Sequence, residues 1–238
     1  MSKTVAVVQS NYIPWKGYFD LIRQADEFIL YDDVQYTRRD WRNRNRIRTA
    51  DGVQWLTVPV EVKGKYLQKI RDTRISDRTW AANHWTRLRH AYSKAPHFAD
   101  FEGLFAELYD AAAGVEFLSD VNERFLRALC GVLGITTNIT SSADFALDNP
   151  DPTGRLLDIC LRAGATEYLS GPAARAYLDE SLFNRAGVSV RFVDYAGYPE
   201  YPQLHGPFEH AVSALDLLFM TGPRAAEYLN RSPVVPAA

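Results

Sequence analysis

Cysteine and long apolar runs are both scarce in this chain. Its 238 residues include 2 cysteines, Cys130 and Cys160, which form no CxxC pair and are too few for a disulfide framework. No apolar run approaches the roughly 20 residues of a transmembrane helix, and the N-terminal apolar stretch is too short for a signal peptide. These absences predict a cytoplasmic protein that does not associate with membranes.

An excess of one charge sign is also absent. Lys and Arg number 27 against 29 for Asp and Glu, so the formal net charge is -2. A protein that binds nucleic acid through bulk charge is usually strongly basic, so nucleic acid is not an expected partner. The motifs of dinucleotide loops, Walker loops, serine-hydrolase elbows and zinc helices are missing, and no His, Cys or Asp cluster has metal-ligand spacing. The sequence therefore identifies no cofactor and no metal site.

The composition is that of an ordinary globular protein, with 47% hydrophobic and 24% charged residues, which excludes a disordered chain. Short apolar runs alternate with amphipathic stretches. Strand candidates at 5–8 and 28–31 are separated by a helix over about 17–25, and the same alternation resumes near residue 136. Strands separated by helices predict an α/β fold, with a mostly parallel Rossmann-like sheet and helices on both faces.

Two insertions interrupt this alternation. Two runs of alternating polarity flank Asp51-Gly52 and predict a β-hairpin over about 42–60. Three amphipathic helices are predicted within about 78–133. Since no linker divides the chain, residues 1–230 are predicted to form a single domain, followed by a flexible tail over 231–238.

The densest charged feature is a run of six arginines within residues 38–48. In an extended strand every second residue shares a face, which groups Arg42, Arg44, Arg46 and Arg48. A two-residue loop at Asp51-Gly52 would place Arg48 opposite Trp55. A row of guanidinium groups suits a diphosphate, a carboxylate or a phosphopantetheine. The alternative is a solvated edge whose charge blocks the addition of another strand.

Polar or small residues follow each strand candidate, at the edge where ligands bind in parallel sheets. Asp33 follows the second strand and is the candidate catalytic base, although an Asp at this point can also cap a turn. His84, on a helical stripe with Trp80 and Leu88, is a second candidate for acid–base chemistry, with a core histidine as the alternative.

The loop over residues 9–20 is dense in Asn, Tyr, Trp, Pro and Gly, a composition typical of small-molecule pockets. The alternative is a packed loop whose aromatic residues belong to the core. The candidate substrate-binding residues of this loop and of the other strand ends are Gln9, Asn11, Tyr12, Trp15, Tyr18, Gln35, Arg38, Trp41, Asn43, Arg44, Asn45, Arg46, Ser170, Tyr201 and Gln203.

Several of these segments resemble the WbqC-like protein family. The matching motifs are Gln9-Ser-Asn-Tyr-Ile-Pro-Trp-Lys-Gly-Tyr-Phe-Asp20, residues 32–47, Trp55-Leu-Thr-Val-Pro59, Tyr168-Leu-Ser-Gly171, Tyr198-Pro-Glu-Tyr-Pro-Gln203 and residues 213–222. The family usually reads His-Gln-Pro where this chain has Val8-Gln9-Ser10. If the histidine of the family is catalytic, this chain lacks that catalytic residue.

The resemblance implies a bacterial protein from surface-polysaccharide (O-antigen) or specialised-metabolite gene clusters. For such a protein we expect a group transferase that forms an amide by acyl or aminoacyl transfer. The expected acceptor is a small molecule such as an amino sugar or another amine. The expected donor bears phosphate, as a nucleotide sugar, an acyl-CoA or an acyl carrier protein does.

Two other functions stand beside the transferase. One is a non-catalytic ligand-binding or scaffold protein of a biosynthetic cluster. The other is a nucleic-acid binder that uses Trp41 and Trp55 as stacking platforms, which the net charge disfavours.

Overall fold

The computed structural model describes residues 2–145, 147 and 149–229. The strands are β1 (Thr4–Val8), β2 (Glu27–Leu30), β3 (Arg44–Thr49), β4 (Gly52–Thr57), β5 (Asn138–Ser141), β6 (Glu167–Ser170) and β7 (Ser189–Phe192). The α-helices are α1 (Lys16–Arg23), α2 (Trp80–Tyr92), α3 (Phe98–Ala113), α4 (Leu118–Val132), α5 (Pro152–Arg162), α6 (Glu180–Arg185) and α7 (Ala214–Thr221). Short 3₁₀ helices cover Ser142–Asp144, Pro172–Ala176 and Gly222–Leu229.

The central sheet has the strand order β5-β2-β1-β6-β7, and every pair in it is parallel. The chain builds outward from β1 through β2 to β5 on one side, and then crosses to β6 and β7 on the other. The order therefore reverses between β1 and β6, which makes that boundary the topological switch point of the sheet. The predicted α/β, Rossmann-like fold is confirmed.

Both faces of the sheet are covered by helices, as predicted. Alternate residues of a strand point to opposite faces. Ala6 and Phe28 belong to the larger hydrophobic cluster, which also contains residues of α1, α4 and α7. Val7 and Ile29 belong to a smaller cluster with residues of α5 and α6. The inner strands β1 and β2 are buried on both faces, which explains why they read as apolar runs without alternation.

The hairpin forms a separate antiparallel pair of β3 and β4, and its predicted register is wrong. Arg46 lies opposite Trp55, where the sequence predicted Arg48. The reason is that Gly52, with a φ of 101°, is the first residue of β4, so the loop comprises residues 50–51. A shift of two residues leaves every side chain on its predicted face.

The inserted helical segment is formed by α2, α3 and α4, close to the predicted bounds. The predicted helix that begins at Pro172 is a 3₁₀ helix, and the last helix begins at Ala214 where the sequence predicted 211. The predicted flexible tail over 231–238 lies outside the described residues. None of the helices that the structure describes is both long enough and apolar enough to cross a bilayer.

Cys160 is fully buried in the smaller cluster, and burial raises the pKa of its thiol to about 12. A thiol of this kind is unreactive, because the thiolate is the nucleophile. We expect Cys160→Ala to keep the protein's activity and to lower the free energy of unfolding by about 1–2 kcal/mol. Urea denaturation measures this change, and a covalent thioester on Cys160 in a mass spectrum would contradict it.

Candidate functional site

A cavity of about 580 Å³ lies at the carboxyl ends of β1, β2 and β6, at the switch point of the sheet. We call it the switch-point cavity. The predicted site residues that line it are Gln9, Asp33, Gln35 and Ser170. They come from three strands because the carboxyl ends of parallel strands share one edge. The strand ends in the sequence therefore indicated these four residues of the wall.

Arg42 also lines the switch-point cavity. The sequence analysis placed it in the row of guanidinium groups that suits an anion, but not among the candidate substrate-binding residues. It is only 9% exposed, and its Nε and Nη1 atoms are sealed from solvent without a hydrogen-bond partner. Its ion pair with Asp40 is long, at 3.7 Å. A buried cation with unmade hydrogen bonds costs free energy, which an anion in the cavity would offset. Arg42 precedes β3, so its side chain does not follow the face of the hairpin arginines.

Two further cations line this cavity, Lys69 and Arg155. Lys69 lies in the segment between the hairpin and α2, and Arg155 lies on α5, where its Nε donates to the carbonyl of Asn149 over 3.1 Å. The sequence analysis singled out neither, because no motif or spacing marks them. The wall therefore carries more positive than negative side chains.

Asp33 emerges at the carboxyl edge of the sheet, as predicted, and it is enclosed by partners. Its Oδ1 lies 2.6 Å from Nη1 of Arg71 and 3.3 Å from Nζ of Lys69. Its Oδ2 accepts a hydrogen bond of 2.8 Å from the hydroxyl of Ser142. In this arrangement Asp33 holds Lys69 at the cavity wall.

The end of β1 is fixed by buried polar contacts. The backbone N–H of Ser10 donates to Oδ1 of Asp32 over 2.9 Å, and burial raises the pKa of this carboxyl. Asn122 of α4 donates to the hydroxyl of Ser10 and to the carbonyl of Arg42. A proline at position 10, as in the family that the loop resembles, would have no N–H for Asp32.

Val8 lies in the wall of the switch-point cavity, at the position where that family has its histidine. A histidine there would therefore be a cavity-lining residue. This chain presents an apolar side chain instead, so any proton transfer in the cavity must use another group.

His84 is buried in a polar triad within the core, and it is not among the residues that line the switch-point cavity. Its Nδ1 lies 2.9 Å from the hydroxyl of Tyr12, which lies 2.8 Å from the hydroxyl of Tyr109. The imidazole ring of His84 also forms a hydrogen bond with the backbone of Thr57. These contacts attach the loop after β1 to α2 and α3. Tyr12 and His84, which the sequence predicted as site residues, both take part in these contacts.

Burial, together with the charge of Arg87, lowers the pKa of His84 from 6.5 to about 4. Below pH 6.5 the unfolded chain therefore binds a proton that the folded protein does not. We expect the contribution of His84 to stability to fall by up to about 3 kcal/mol as the pH drops from 6.5 to about 4. Urea denaturation of the wild type and His84→Gln across this window measures the difference, and parallel pH profiles would contradict the expectation.

The hairpin arginines bind other parts of the chain. The guanidinium of Arg44 lies 4.2 Å from the ring centroid of Trp55 and donates to the carbonyl of Arg39. Arg46 donates from Nε to the carbonyl of Ala211 over 2.8 Å, and Arg48 to that of His205 over 2.9 Å. These bonds hold residues 205–211 against the hairpin. That Arg44 and Arg46 bind a ligand anion stays a prediction.

A second cavity of about 180 Å³, which we call the aromatic pocket, lies beside the loop after β1. Its lining residues are Asn11, Pro14, Trp15, Trp41, Asn45 and Ala211, four of which the sequence predicted as site residues. The Oδ1 atom of Asn11 is sealed from solvent and has no hydrogen-bond partner. The structure thus divides many of the predicted site residues between two cavities.

The remaining predicted residues have structural partners. Tyr18 donates to the carbonyl of Gln9, Arg38 to that of Val62, and Asn43 to that of Val58. The hydroxyl of Tyr201 and the amide of Gln203 both donate to Asp216 over 2.8 Å. Asp216 lies on α7, and the sequence analysis did not single it out.

Lys16 is a further buried charge that the sequence analysis missed. Its Nζ donates to the carbonyl of Pro199 over 2.7 Å and lies 5.2 to 5.6 Å from the ring centroids of Tyr198, Tyr201 and Phe208. Burial lowers the pKa of this lysine to about 8. No group of His, Cys, Asp and Glu that could hold a metal ion occurs among the described residues.

Comparison with known proteins gives one family and one similar protein. The model of the WbqC-like protein family matches residues 9–228 of the chain. The uncharacterized protein Rv1507c of Mycobacterium tuberculosis (strain ATCC 25618 / H37Rv) is 53% identical over 228 residues, which are 96% of this chain and 98% of that protein. No solved structure was found to match.

Proposed function

This chain belongs to the WbqC-like protein family, and on that basis we propose that it is a group transferase whose donor places an anionic group in the switch-point cavity. The observation that carries this proposal is Arg42, a buried guanidinium at the cavity wall with two nitrogens that lack partners. Because these two nitrogens are sealed from solvent, an anion in the cavity compensates the charge of Arg42 without contacting them directly. Lys69 and Arg155 add positive charge around the same space.

The donor is a phosphate-bearing thioester of the kind that acyl-CoA and acyl carrier proteins represent, and its leaving group is the thiol. A cavity of about 580 Å³ is within the usual range for a ligand of this size. Tyr31, Tyr168 and Tyr177 also line it and offer aromatic surface for the uncharged part of the donor. Arginine and lysine bind phosphate oxygens through charge-assisted hydrogen bonds.

The reaction is acyl or aminoacyl transfer to an amine, such as that of an amino sugar, in surface-polysaccharide or specialised-metabolite biosynthesis. The amine nitrogen attacks the carbonyl carbon of the donor, the new C–N bond forms, and the bond to the leaving group breaks. The amine loses one proton in this step. Asp33 is the carboxylate at the cavity wall, and it takes that proton once one of its ion-pair partners moves to the donor anion.

A non-catalytic role as a ligand-binding or scaffold protein is the second candidate. The observation that favours it is that Arg71, Lys69 and Ser142 already engage both oxygens of Asp33. In a binding protein these contacts would stay intact when the ligand enters.

The transferase and the binding protein differ in whether they convert substrate to product. Thermal-shift measurements with UDP, coenzyme A and inorganic pyrophosphate test whether the cavity binds an anion. Release of free thiol from acetyl-CoA in the presence of glucosamine then tests transfer. If the protein is a transferase, mass spectrometry detects the amide product. Arg42→Gln then lowers the amount of product, whereas Arg162→Gln, at the exposed end of α5, leaves it unchanged. Binding without product across amine acceptors would favour the second candidate.

A further inference from the structure

We infer that the aromatic pocket is a separate subsite, which binds a compact, uncharged ring that donates a hydrogen bond to Asn11. This inference rests on the proposed function, since it assigns the pocket to the acceptor of the transfer. The pocket is lined by Trp15, Trp41, Pro14 and Ala211, with two asparagines as its polar members.

The two cavities share a wall, which is what a two-substrate reaction requires. Gln9 lines the switch-point cavity and Asn11 lines the aromatic pocket. On the neighbouring segment Arg42 lines the first cavity and Trp41 the second. The N–H of Tyr12 donates to the carbonyl of Trp41 over 3.2 Å and joins the two segments. Adjacent residues are about 3.8 Å apart, so ligands in the two cavities would be near neighbours.

The polar atoms of the pocket indicate what the ligand must offer. Asn45 is already committed, since its Nδ2 donates to the carbonyl of Tyr12 over 3.2 Å and its Oδ1 accepts from the N–H of Arg46 over 2.8 Å. The Oδ1 of Asn11 has no such partner and is an acceptor only. Since this atom is sealed from solvent, a ligand completes the site by donating an O–H or N–H once the Asn11 side chain rotates to turn its Oδ1 into the pocket.

The pocket disfavours a cationic ligand. None of its lining residues is ionisable, so no carboxylate in the wall offers a cation a counter-charge. A cation over Trp41 would meet the guanidinium of Arg46, which already lies 5.7 Å from the centroid of that ring. Like charges at this distance repel. An amine acceptor therefore enters uncharged, which is also the form that can attack a carbonyl.

The volume and walls indicate the shape of the ligand. About 180 Å³ corresponds to the space of roughly six water molecules, enough for one saturated ring with its substituents. Trp15 and Trp41 provide flat apolar surface for the C–H face of such a ring. A sugar-like ring has both this apolar face and the hydroxyl donors that Asn11 needs.

The test uses methyl β-glucoside, an uncharged ring with hydroxyl donors, in saturation-transfer NMR. We expect transfer from protein aromatic protons to the sugar ring in the wild type. Asn11→Leu keeps the branched shape of the side chain and removes the acceptor, so we expect the affinity to fall about three- to tenfold. Ala211→Leu narrows the pocket and should abolish the signal, while Asn184→Leu on the exposed face of α6 should not change it.

Absence of transfer to the wild type would overturn the inference, as would equal transfer to the wild type, Asn11→Leu and Ala211→Leu. Arg42→Gln distinguishes this subsite from the donor site. If the sugar binds to Arg42→Gln as it does to the wild type while pyrophosphate does not, both proposals hold. If pyrophosphate binds equally to both proteins, the donor site fails while the sugar result still decides the subsite.

Discussion

Arg42→Gln is expected to lower the affinity of the protein for inorganic pyrophosphate by about 10- to 100-fold, the loss that follows from removing one charge-assisted interaction. Arg42 lines the switch-point cavity and is 9% exposed, and its Nε and Nη1 have no partner within the protein. The guanidinium of Arg42, which has few other contacts, therefore compensates the charge of a bound anion. Isothermal titration calorimetry measures the affinity.

The stability of the variant separates a binding role from a structural one. The ion pair of Arg42 with Asp40 spans 3.7 Å and two of its nitrogens are unpaired, so Gln at this position should change the free energy of unfolding by no more than about 1 kcal/mol. The matched control is Arg162→Gln, an exposed arginine on the last turn of α5. A large loss of stability with unchanged pyrophosphate binding would make Arg42 a structural residue.

The largest stability effect is expected at Asp216, in the core beneath residues 201–203. Its carboxylate accepts hydrogen bonds from the hydroxyls of Tyr92 and Tyr201 at 2.9 and 2.8 Å, and from the amide of Gln203 at 2.8 Å. Asp216→Ala leaves the buried hydroxyls of Tyr92 and Tyr201 without this acceptor, whereas the amide of Gln203 keeps the carbonyl of Glu209. Since each unsatisfied buried donor costs about 1–3 kcal/mol, we expect a loss of roughly 3–5 kcal/mol in the free energy of unfolding.

Urea denaturation at neutral pH measures this loss. Asp216→Asn keeps one oxygen acceptor, so its loss should be smaller than that of Asp216→Ala. The exposed Asp110 of α3 gives a matched control, because Asp110→Ala should change stability by less than about 0.5 kcal/mol. A loss below about 1 kcal/mol for Asp216→Ala would contradict the account of this network.

The fold could be predicted from the sequence more completely than the contacts that individual side chains make. Apolar runs and their separation by helices are local, so β1, β2 and the order of elements could be derived from them. The hairpin faces were also predictable, because a strand has a period of two. The register was not, since Gly52 can either belong to a two-residue loop or begin β4 with a positive φ, and only the folded hairpin decides between them.

The site was predictable only where chain position determines it. Asp33, Gln9 and Ser170 were placed at the correct edge because each lies at or just after the carboxyl end of a strand of the parallel sheet. His84 and Tyr12 are 72 residues apart, and nothing local indicates that they bond each other in the core. Arg42 looked like the first member of a regular row. Its separation from that row depends on β3 beginning two residues later, at Arg44.

A crystal structure of the protein grown with pyrophosphate tests the central claim most directly. We expect the phosphate oxygens in the switch-point cavity, with at least one within about 3.2 Å of a nitrogen of Arg42 or Lys69. The contact of Lys69 with Asp33 should lengthen beyond its present 3.3 Å. A switch-point cavity that holds no pyrophosphate and is unchanged from the present structure would contradict the account.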